Sequence, residues 1–380
     1  MMRPVALNKT DLKADLGLLG GGQLARMSIQ AAQRMGLKCL SLDPAANSPA
    51  SQIAPNRVGA LDDPDAIAEI FRGAERVSLE NEFIPAEAVR EGCARAGVAL
   101  DRLVPPLEAL ATIQDKLRQR QALARAGVPC PHAVALDDGG ARAIEEIGFP
   151  MVLKARFGGY DGKGTRYARS ESEFDAHRPL WEAGGWLAEG FVDFRRELAA
   201  MVFLGPHGKG CYPTMETVQT NHVCDLVFPS GTDASTIAMR AVEAVAEQGL
   251  FGVELFEVGE GEFLVNELAP RPHNTGHYTL DWGATSQFEQ HVRLAMGWAP
   301  GTVDGEPVCM ANLLGQEHAA DLHGALSAVA SLPGVHVHWY GKAEARVGRK
   351  MGHLNVRGGD DLVGRAREAR ARFYEAWEGK

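Results

Sequence analysis

Short apolar runs alternate with helical spacing over the first hundred residues. Leu16-Gly17-Leu18-Leu19 has the length of a buried strand; a glycine turn, Gly20-Gly21-Gly22, and a helical pattern reaching about Met35 follow it. The cycle repeats. Leu37 to Leu42 reads as a strand ending at Asp43, Asp65 to Phe71 as a helix, Arg76 to Leu79 as a strand, and Pro85 to Ala96 as a helix. A further helix and strand lead to Val104-Pro105-Pro106, where the paired prolines mark a boundary near residue 110. Strand-length runs alternating with helices predict βαβ units and an open parallel sheet.

The pattern then changes. A helix is predicted from Thr112 through Gln114-Asp115-Lys116 to Ala126, stopped by Gly127. A small α+β unit follows, in which Phe149 to Leu153 leads to Lys154 and then to the loop Phe157 to Thr165, with glycines at 158, 159, 162 and 164. Trp186 to Val192 and the segment from Arg196 read as strands. Phe251 to Val258 and Glu262 to Leu268 are two strands joined by Gly259-Glu260-Gly261. Ser286 to Met296 has helical spacing, Pro307 to Leu314 and Val335 to Lys342 are strand-like, and the charged tail beyond Gly359 is expected to form a peripheral helix.

With 380 residues and 45% apolar content, the chain is long enough for two or three domains. Its 39 Lys and Arg against 49 Asp and Glu give a net charge of −10, and the basic residues are dispersed, which argues against a nucleic-acid partner. The six cysteines are not closely paired, so neither a zinc knuckle nor a disulfide scaffold is suggested. No stretch resembles a signal peptide, and none approaches the roughly 18 apolar residues of a membrane span. A cytoplasmic protein without a membrane partner is expected.

Several segments carry chemistry. The loop 157–165 is too rich in glycine for a regular element, and such a loop can fold over polyphosphate with several N–H groups aimed at it, while Lys154 and Lys163 add positive charge. The turn Gly20-x-Gly22-x-x-Ala25, with Asp43 roughly 20 positions later, also satisfies a dinucleotide fingerprint and raises a nicotinamide oxidoreductase as an alternative. Glu80-Asn81-Glu82 falls at a strand's carboxyl end, where open parallel sheets bind ligands; the alternative role is to cap the next helix. Lys116, early in a helix, opposes the helix dipole and suggests an anionic partner. Glu189-Gly190-Phe191-Val192 offers backbone donors and acceptors with apolar walls, as an adenine ring requires.

The strongest local chemistry is the pair of strands 251–258 and 262–268. With a two-residue loop at Glu260-Gly261, Glu254 falls opposite Glu267 with β-carbons ~5 Å apart, whereas a three-residue loop would put Asn266 there. Two carboxylates among apolar neighbours repel one another and resist burial; a hard divalent cation resolves the conflict, and Mg²⁺ bridging a nucleotide phosphate is the usual partner. Ala269 to Tyr278 follows, with Arg271, His273, Asn274 and His277 held between prolines, a concentration of donors suited to an oxyanion. Lys342 and the pair Arg349-Lys350 supply further cations suited to phosphate.

Taken together, these segments resemble the ATP-grasp superfamily and, within it, the 5-(carboxyamino)imidazole ribonucleotide synthase family. The likeness runs from about Leu16 to about Val356, resting on Gly20 to Leu24, Asp43-Pro44, Glu80 to Glu82, Gly158 to Gly164, Asn266 to Asn274, Ser286 to Phe288, Asn312 to Gly315 and Gly348 to His353. It implies an α/β and α+β multidomain fold: a Rossmann-like domain over 1–110, an ATP-grasp domain over 111–310 with a lid at about 125–190, and a C-terminal β-rich subdomain over 311–380 that completes the site. It also implies a homodimer. Phosphates are expected at Lys116, Lys154 and Gly159-Tyr160-Asp161-Gly162-Lys163-Gly164-Thr165, the adenine at Glu189 to Val192, the ribose at Glu197, and the metal at Glu254 and Glu267 with Asn266 alongside. The family's Glu-Asn-x-His motif reads Glu216-Thr217-Val218-Gln219 here, so either Gln219 or His222 takes the histidine's place.

The implied reaction is the ATP-dependent carboxylation of aminoimidazole ribonucleotide by bicarbonate. In it Arg271, His273, Asn274, Lys342 and Arg349 handle the reacting groups, and Gly22, Gln23, Glu80, Asn81, Glu82, Tyr160 and Lys350 bind the ribonucleotide. Another ATP-grasp ligase or formyltransferase with a different acceptor, and a non-catalytic nucleotide-binding protein, are the remaining alternatives.

Overall fold

The computed structural model of the chain describes residues 13–159, 164–318 and 321–379. The expectations for Tyr160, Asp161, Gly162 and Lys163 lie outside the described residues.

The N-terminal part is a parallel sheet of β1 (Ala14–Leu19), β2 (Cys39–Asp43), β3 (Asn56–Val58), β4 (Ala74–Leu79) and β5 (Leu103–Val104), in the order β3-β2-β1-β4-β5. Strand β1 is buried almost throughout, as a strand covered on both faces must be. Its covers are α1 (Gln23–Arg34), α2 (Pro64–Gly73), α3 (Ala86–Ala96) and α4 (Leu107–Gln114). The strand order reverses between β1 and β4, so the turn after β1 and Glu80 to Glu82 after β4 meet at the crevice where such sheets bind ligands.

The single helix expected from Thr112 to Ala126 is two: α4 ends at Gln114 and α5 (Lys116–Arg125) starts afresh. Asp115 causes the break. It adopts an extended backbone, its carboxylate accepts from the Leu117 and Arg118 N–H groups, and Arg156 grips it through Nε at 2.9 Å and Nη2 at 2.5 Å. Lys116 thereby becomes the first residue of a new helix.

Strands β6 (Ala133–Ala135), β7 (Met151–Ala155), β8 (Thr165–Ala168) and β9 (Trp186–Gly190) form an antiparallel four-stranded sheet in the order β6-β9-β7-β8. Short helices α6 (Ala141–Glu146), α7 (Glu171–Ala176) and α8 (Arg178–Glu182) accompany it, and Phe174, Trp181, Met151 and Leu153 fill its own small core.

The third sheet is the largest. It contains β10 (Arg196–Gly205), β11 (Gly208–Cys211), β12 (Met215–Thr220), β13 (Val223–Pro229), β14 (Gly249–Gly259), β15 (Glu262–Ala269), β16 (Val308–Leu314), β17 (Val335–Trp339) and β18 (Lys350–Arg357). The order is β15-β14-β10-β12-β13-β16-β18-β17, with β11 added to β10. The boundary expected between residues 310 and 311 falls within β16, which pairs with β13 on one side and β18 on the other. One sheet therefore spans both parts. Helices α9 (Ser235–Glu243) and α10 (Gln287–Ala295) pack on it, and α10 also meets α1, tying the large sheet to the parallel one.

Over the C-terminal strands lie α11 (Leu322–Ala330) and α12 (Leu362–Trp377). The expectation of a peripheral tail is corrected here. Ala366, Ala369, Phe373 and Trp377 recur at helical spacing and are buried, the last three with Leu313, Met351 and Leu354 and Ala366 with Cys309, Ala311 and Val356, while Arg367, Glu368, Arg372 and Glu375 are exposed on the other face. Phe373→Ala, which empties a fully buried ring site, is expected to lower the unfolding free energy by about 3–5 kcal/mol, measured by urea denaturation.

Candidate active site

The carboxyl edge of the parallel sheet is organised around two internal anchors. Asp43 accepts from Gly21 N–H at 2.9 Å and Ala45 N–H at 2.8 Å, fixing a turn that Gly20 begins with φ 105°. The Glu80 carboxylate lies against the same turn and accepts from Leu24 N–H at the start of α1; a β-carbon on Gly22 would run into it. Burial raises its affinity for a proton, partly offset by Asn81 and Arg271. Both features that a dinucleotide would use, the helix N-terminus and the acidic residue after β2, are engaged by the protein's own groups. The nicotinamide alternative loses its support.

Glu80 to Glu82 do not cap α3 either. The α3 N-cap is Pro85, without a side-chain cap; Asn81 Oδ1 accepts from Phe83 N–H at 3.0 Å; and Glu82 binds the Arg271 guanidinium through Nε and through Nη2, the latter at 2.7 Å. The Arg271 fork, expected to face an oxyanion, is thus held by Glu82. Nη1 donates to Pro272 O at 3.1 Å. Arg271 beside it holds the Glu82 carboxyl below the usual range despite burial.

The β14–β15 hairpin resolves the register question in an unexpected way. The loop is Glu260-Gly261, Gly259 pairs with Glu262, and Glu254 pairs with Glu267. Between these points each strand carries one extra residue. The shift at Glu254/Leu255 leaves Asn266 unpaired in β15, a bulge that puts Asn266 beside Glu267 on the Glu254 side. Its Nδ2 lies 3.5 Å from Glu254 Oε2, and its Oδ1 accepts from Lys154 Nζ at 3.4 Å. The two-residue loop and the Glu254–Glu267 pair are thus the alternative realised, with Asn266 drawn alongside by the bulge and not set opposite Glu254.

Glu267 pairs with Lys116 Nζ, the anionic partner that the helix start called for. Burial, then the neighbouring Glu267 and Glu197 charges, push the Glu254 carboxyl up to about 7. Such frustration suits a cation site. Two carboxylates and an amide oxygen are hard ligands of the kind Mg²⁺ takes, but no group of three His, Cys, Asp or Glu that could hold a metal occurs among the described residues, so a bound cation needs phosphate oxygens or water to complete its shell.

Opposite stands the four-stranded sheet. Lys154 Nζ is 2.8 Å from Glu189 Oε2, and Glu189 Oε1 accepts from Arg120 Nε at 2.7 Å. Burial alone would raise the Glu189 carboxyl, but Arg120 and Lys154 bring it down to about 2. Burial shifts Lys154 downward against the pull of Glu189. Gly159, Gly164, Thr165, Gly190, Phe191 and Val192 line the same cavity.

Across the cavity, Glu197 bonds to Gln219, with burial raising its carboxyl. Asn221 (φ 52°) and His222 (φ 63°) form the turn between β12 and β13, a left-handed conformation uncommon for non-glycine residues. Both Gln219 and His222 reach the cavity wall.

The segment after β15 brings in His273, whose Nε2 is 3.6 Å from Glu254 Oε1 and whose Nδ1 meets Thr275 Oγ1 at 2.9 Å. Burial and then Arg271 hold this imidazole well below its ordinary value, hence neutral. Gln287 fixes its backbone, accepting from His273 N–H at 2.9 Å and donating to His273 O at 2.8 Å. Asn274 also lines the cavity, but its amide is spent on a reciprocal pair with Asn312 at 3.1 and 2.5 Å. It shapes the segment, where orientation of an intermediate was expected.

Lys342 and Arg349 are not brought to the cavity wall. Lys342 Nζ donates to Lys350 O at 2.6 Å and Arg349 Nη1 to Glu344 O at 3.0 Å, whereas Lys350 itself lines the cavity. Lys116, Lys154, Glu254, Asn266, Glu267 and Arg271 surround the same space, about 530 Å³, which also reaches Gln23, Glu80, Asn81 and Glu82. Gly22 stands just behind Gln23 as the N-cap of α1.

Sequence reasoning missed Arg120 and Gln287. Arg120 had a signal: like charges at 116 and 120, four apart on one helix face, repel unless acidic partners face them. Gln287 falls in the Ser286 to Phe288 segment that carries the resemblance, but its bonds to His273 depend on where the 273 segment folds.

Three family models cover the chain in succession: the ribonucleotide synthetase pre-ATP-grasp domain over 13–114, the ATP-grasp domain over 121–288, and the phosphoribosylaminoimidazole carboxylase C-terminal domain over 308–367. The chain is 40% identical over 364 residues to N5-carboxyaminoimidazole ribonucleotide synthase of Mycobacterium tuberculosis, covering 91% of this chain and 84% of the relative. Among solved structures it is similar to the ADP complex of an N5-carboxyaminoimidazole ribonucleotide synthetase, with 34% identity, TM-score 0.84 and coverage of 96% and 98% of the two chains. It is similar also to the Aspergillus clavatus N5-carboxyaminoimidazole synthase in complex with ADP and 5-aminoimidazole ribonucleotide, with 28% identity, TM-score 0.84 and coverage of 97% and 100%.

The raised Glu254 carboxyl makes a testable contribution to stability. Between the ordinary glutamate value of about 4.3 and about 7, the folded protein binds this proton more tightly than the unfolded chain, so the group's contribution falls as pH rises through that window. A third of the side chain still meets solvent, which reduces the effect to about 1 kcal/mol. Without nucleotide or metal, Glu254→Gln is expected to unfold at higher urea concentration than its parent at about pH 8 and at the same concentration at about pH 4.

Proposed function

The chain belongs to the N5-carboxyaminoimidazole ribonucleotide synthase family, and we propose on that premise how its cavity carries out the reaction. The enzyme is an ATP-dependent ligase that carboxylates aminoimidazole ribonucleotide in purine biosynthesis. In our reading the chain works as three parts, 1–110, 111–310 and 311–380, with ATP between the four-stranded sheet and the large one. Lys154, Lys116 and the 159–165 loop hold the phosphates, residues 189–192 the adenine, and Glu197, with Gln219 and His222 beside it, the ribose. The bulge that sets Asn266 and Glu267 beside Glu254, facing Lys116 and Lys154, carries this reading.

A magnesium ion held by Glu254, Glu267 and Asn266 would supply charge neutralisation at the terminal phosphates. The chain's own residues do the rest. A bicarbonate oxygen attacks the γ-phosphorus, the bond to ADP breaks, and carboxyphosphate forms. It separates into phosphate and carbon dioxide, and the exocyclic amine of the ribonucleotide adds to the carbon and gives up a proton. Arg271, oriented by Glu82, and the neutral His273, fixed by Gln287, stand where bicarbonate and carboxyphosphate oxygens would lie. Lys350 takes the ribonucleotide phosphate, with Lys342 and Arg349 behind it, and Gln23 with Glu80 to Glu82 receives the imidazole end. Exclusion of water by the four-stranded sheet protects carboxyphosphate from hydrolysis.

We further take the protein to be a homodimer acting in the cytoplasm. Its six cysteines are free thiols, as a reducing compartment favours, and among the described residues no helix is long and apolar enough to cross a membrane.

Phosphate release from ATP and bicarbonate, measured with and without aminoimidazole ribonucleotide, tests the assignment: strong stimulation by the ribonucleotide is expected, and equal release in its absence would sink it. Glu267→Gln is expected to lower turnover at least about a thousandfold with the fold intact by circular dichroism; near-normal turnover would remove the cation assignment.

A further inference from the structure

Strand β15 is the outer strand of the large sheet, yet its free edge is covered by α5 and the chain that follows it. Val265 N–H donates to Pro129 O at 2.9 Å, and Leu268 N–H to Gln119 Oε1 at 3.2 Å. Arg120, only 5% exposed, donates through Nη1 to Val265 O at 3.4 Å and through Nη2 to Asn266 O at 2.5 Å. A bulge leaves backbone groups without ladder partners, and a buried carbonyl in that condition is costly. The Arg120 guanidinium meets this need at the residue where β15 departs from regular pairing. Its third hydrogen bond, from Nε, goes to Glu189.

Glu189 therefore has two cationic partners, Arg120 from behind and Lys154 from the cavity side. Were Lys154 its sole partner, the two charges, both largely withdrawn from water, would hold each other firmly, and an incoming anion would have to break that pair. With Arg120 present, Glu189 stays paired when Lys154 turns away.

We propose that Arg120, through its bridge from Glu189 to the carbonyls of the Asn266 bulge, is a positioning residue for nucleotide binding: it leaves Lys154 available to phosphate and keeps Asn266 aligned with Glu254. The proposal rests on the reading of the cavity as the ATP site. Arg120 is not part of the cavity wall, so it acts through Lys154 and Asn266 rather than by touching the ligand.

A double-mutant cycle tests it, with ADP as probe in calorimetric titrations without divalent cations, alongside KM and kcat for ATP. Uptake of ADP by the wild-type protein upholds the reading of the cavity whatever the variants do. Arg120→Met is expected to weaken ADP binding at least about tenfold and to raise the KM for ATP similarly, with a smaller change in kcat. Arg120→Lys, which restores a cation beside Glu189 but cannot span both carbonyls, should fall between. In a Lys154→Met background, where no lysine remains to be kept available, Arg120→Met should cost much less ADP affinity than it costs in the wild type. An equal cost in both backgrounds, or an Arg120→Met protein that binds ADP as the wild type does, overturns the proposal. If Arg120→Met fails to fold by circular dichroism, Arg120→Gln takes its place in the same cycle.

Discussion

Two carboxylates forced side by side on neighbouring strands are the constraint around which the rest of the molecule is arranged. Glu254 and Glu267 meet across the β14–β15 ladder, half withdrawn from water, and their repulsion is offset in part by two lysines from other elements, Lys116 and Lys350. Lys116 reaches Glu267 because Asp115 breaks a helix and restarts it at that point. Asn266 joins them through a bulge, and His273 closes in from the following segment. A site this charged can be assembled only where several independent elements converge, and the parallel sheet, the four-stranded sheet and the large sheet all send residues to it.

Much of the fold was legible because periodicity survives in the sequence. The alternation of apolar runs and helices gave the parallel sheet, and the two strands around Gly259-Glu260-Gly261 gave the hairpin. What stayed hidden depended on single side chains. Asp115 divides a helix whose hydrophobic spacing continues without interruption, and Asn266 occupies a bulge that no pattern of apolar residues encodes. Helix α12 was read as peripheral because its arginines and glutamates outnumber the four residues that pack inward.

The candidate site was legible as residue types more than as partners. Lys154, Glu254, Glu267 and Arg271 all reach one cavity. Which group each one holds is a tertiary fact: Glu82 takes the Arg271 fork, Asn312 takes the Asn274 amide, and Glu80 with Asp43 consumes the glycine turn that imitated a dinucleotide site. Lys342 and Arg349 show the converse, since a basic turn near the right strand still leaves them a step behind Lys350.

Because β16 is stitched to β13 on one side and β18 on the other, Lys350 and Glu254 belong to one continuous hydrogen-bonded fabric, whereas Lys154 rides on a separate small sheet. The spacing between Lys350 and the acidic pair is thus built in like the marks on a ruler. Lys154 stands on a second jaw that shares no ladder with this edge, so one side of the cavity is gauged by a single sheet and the other is set independently of it.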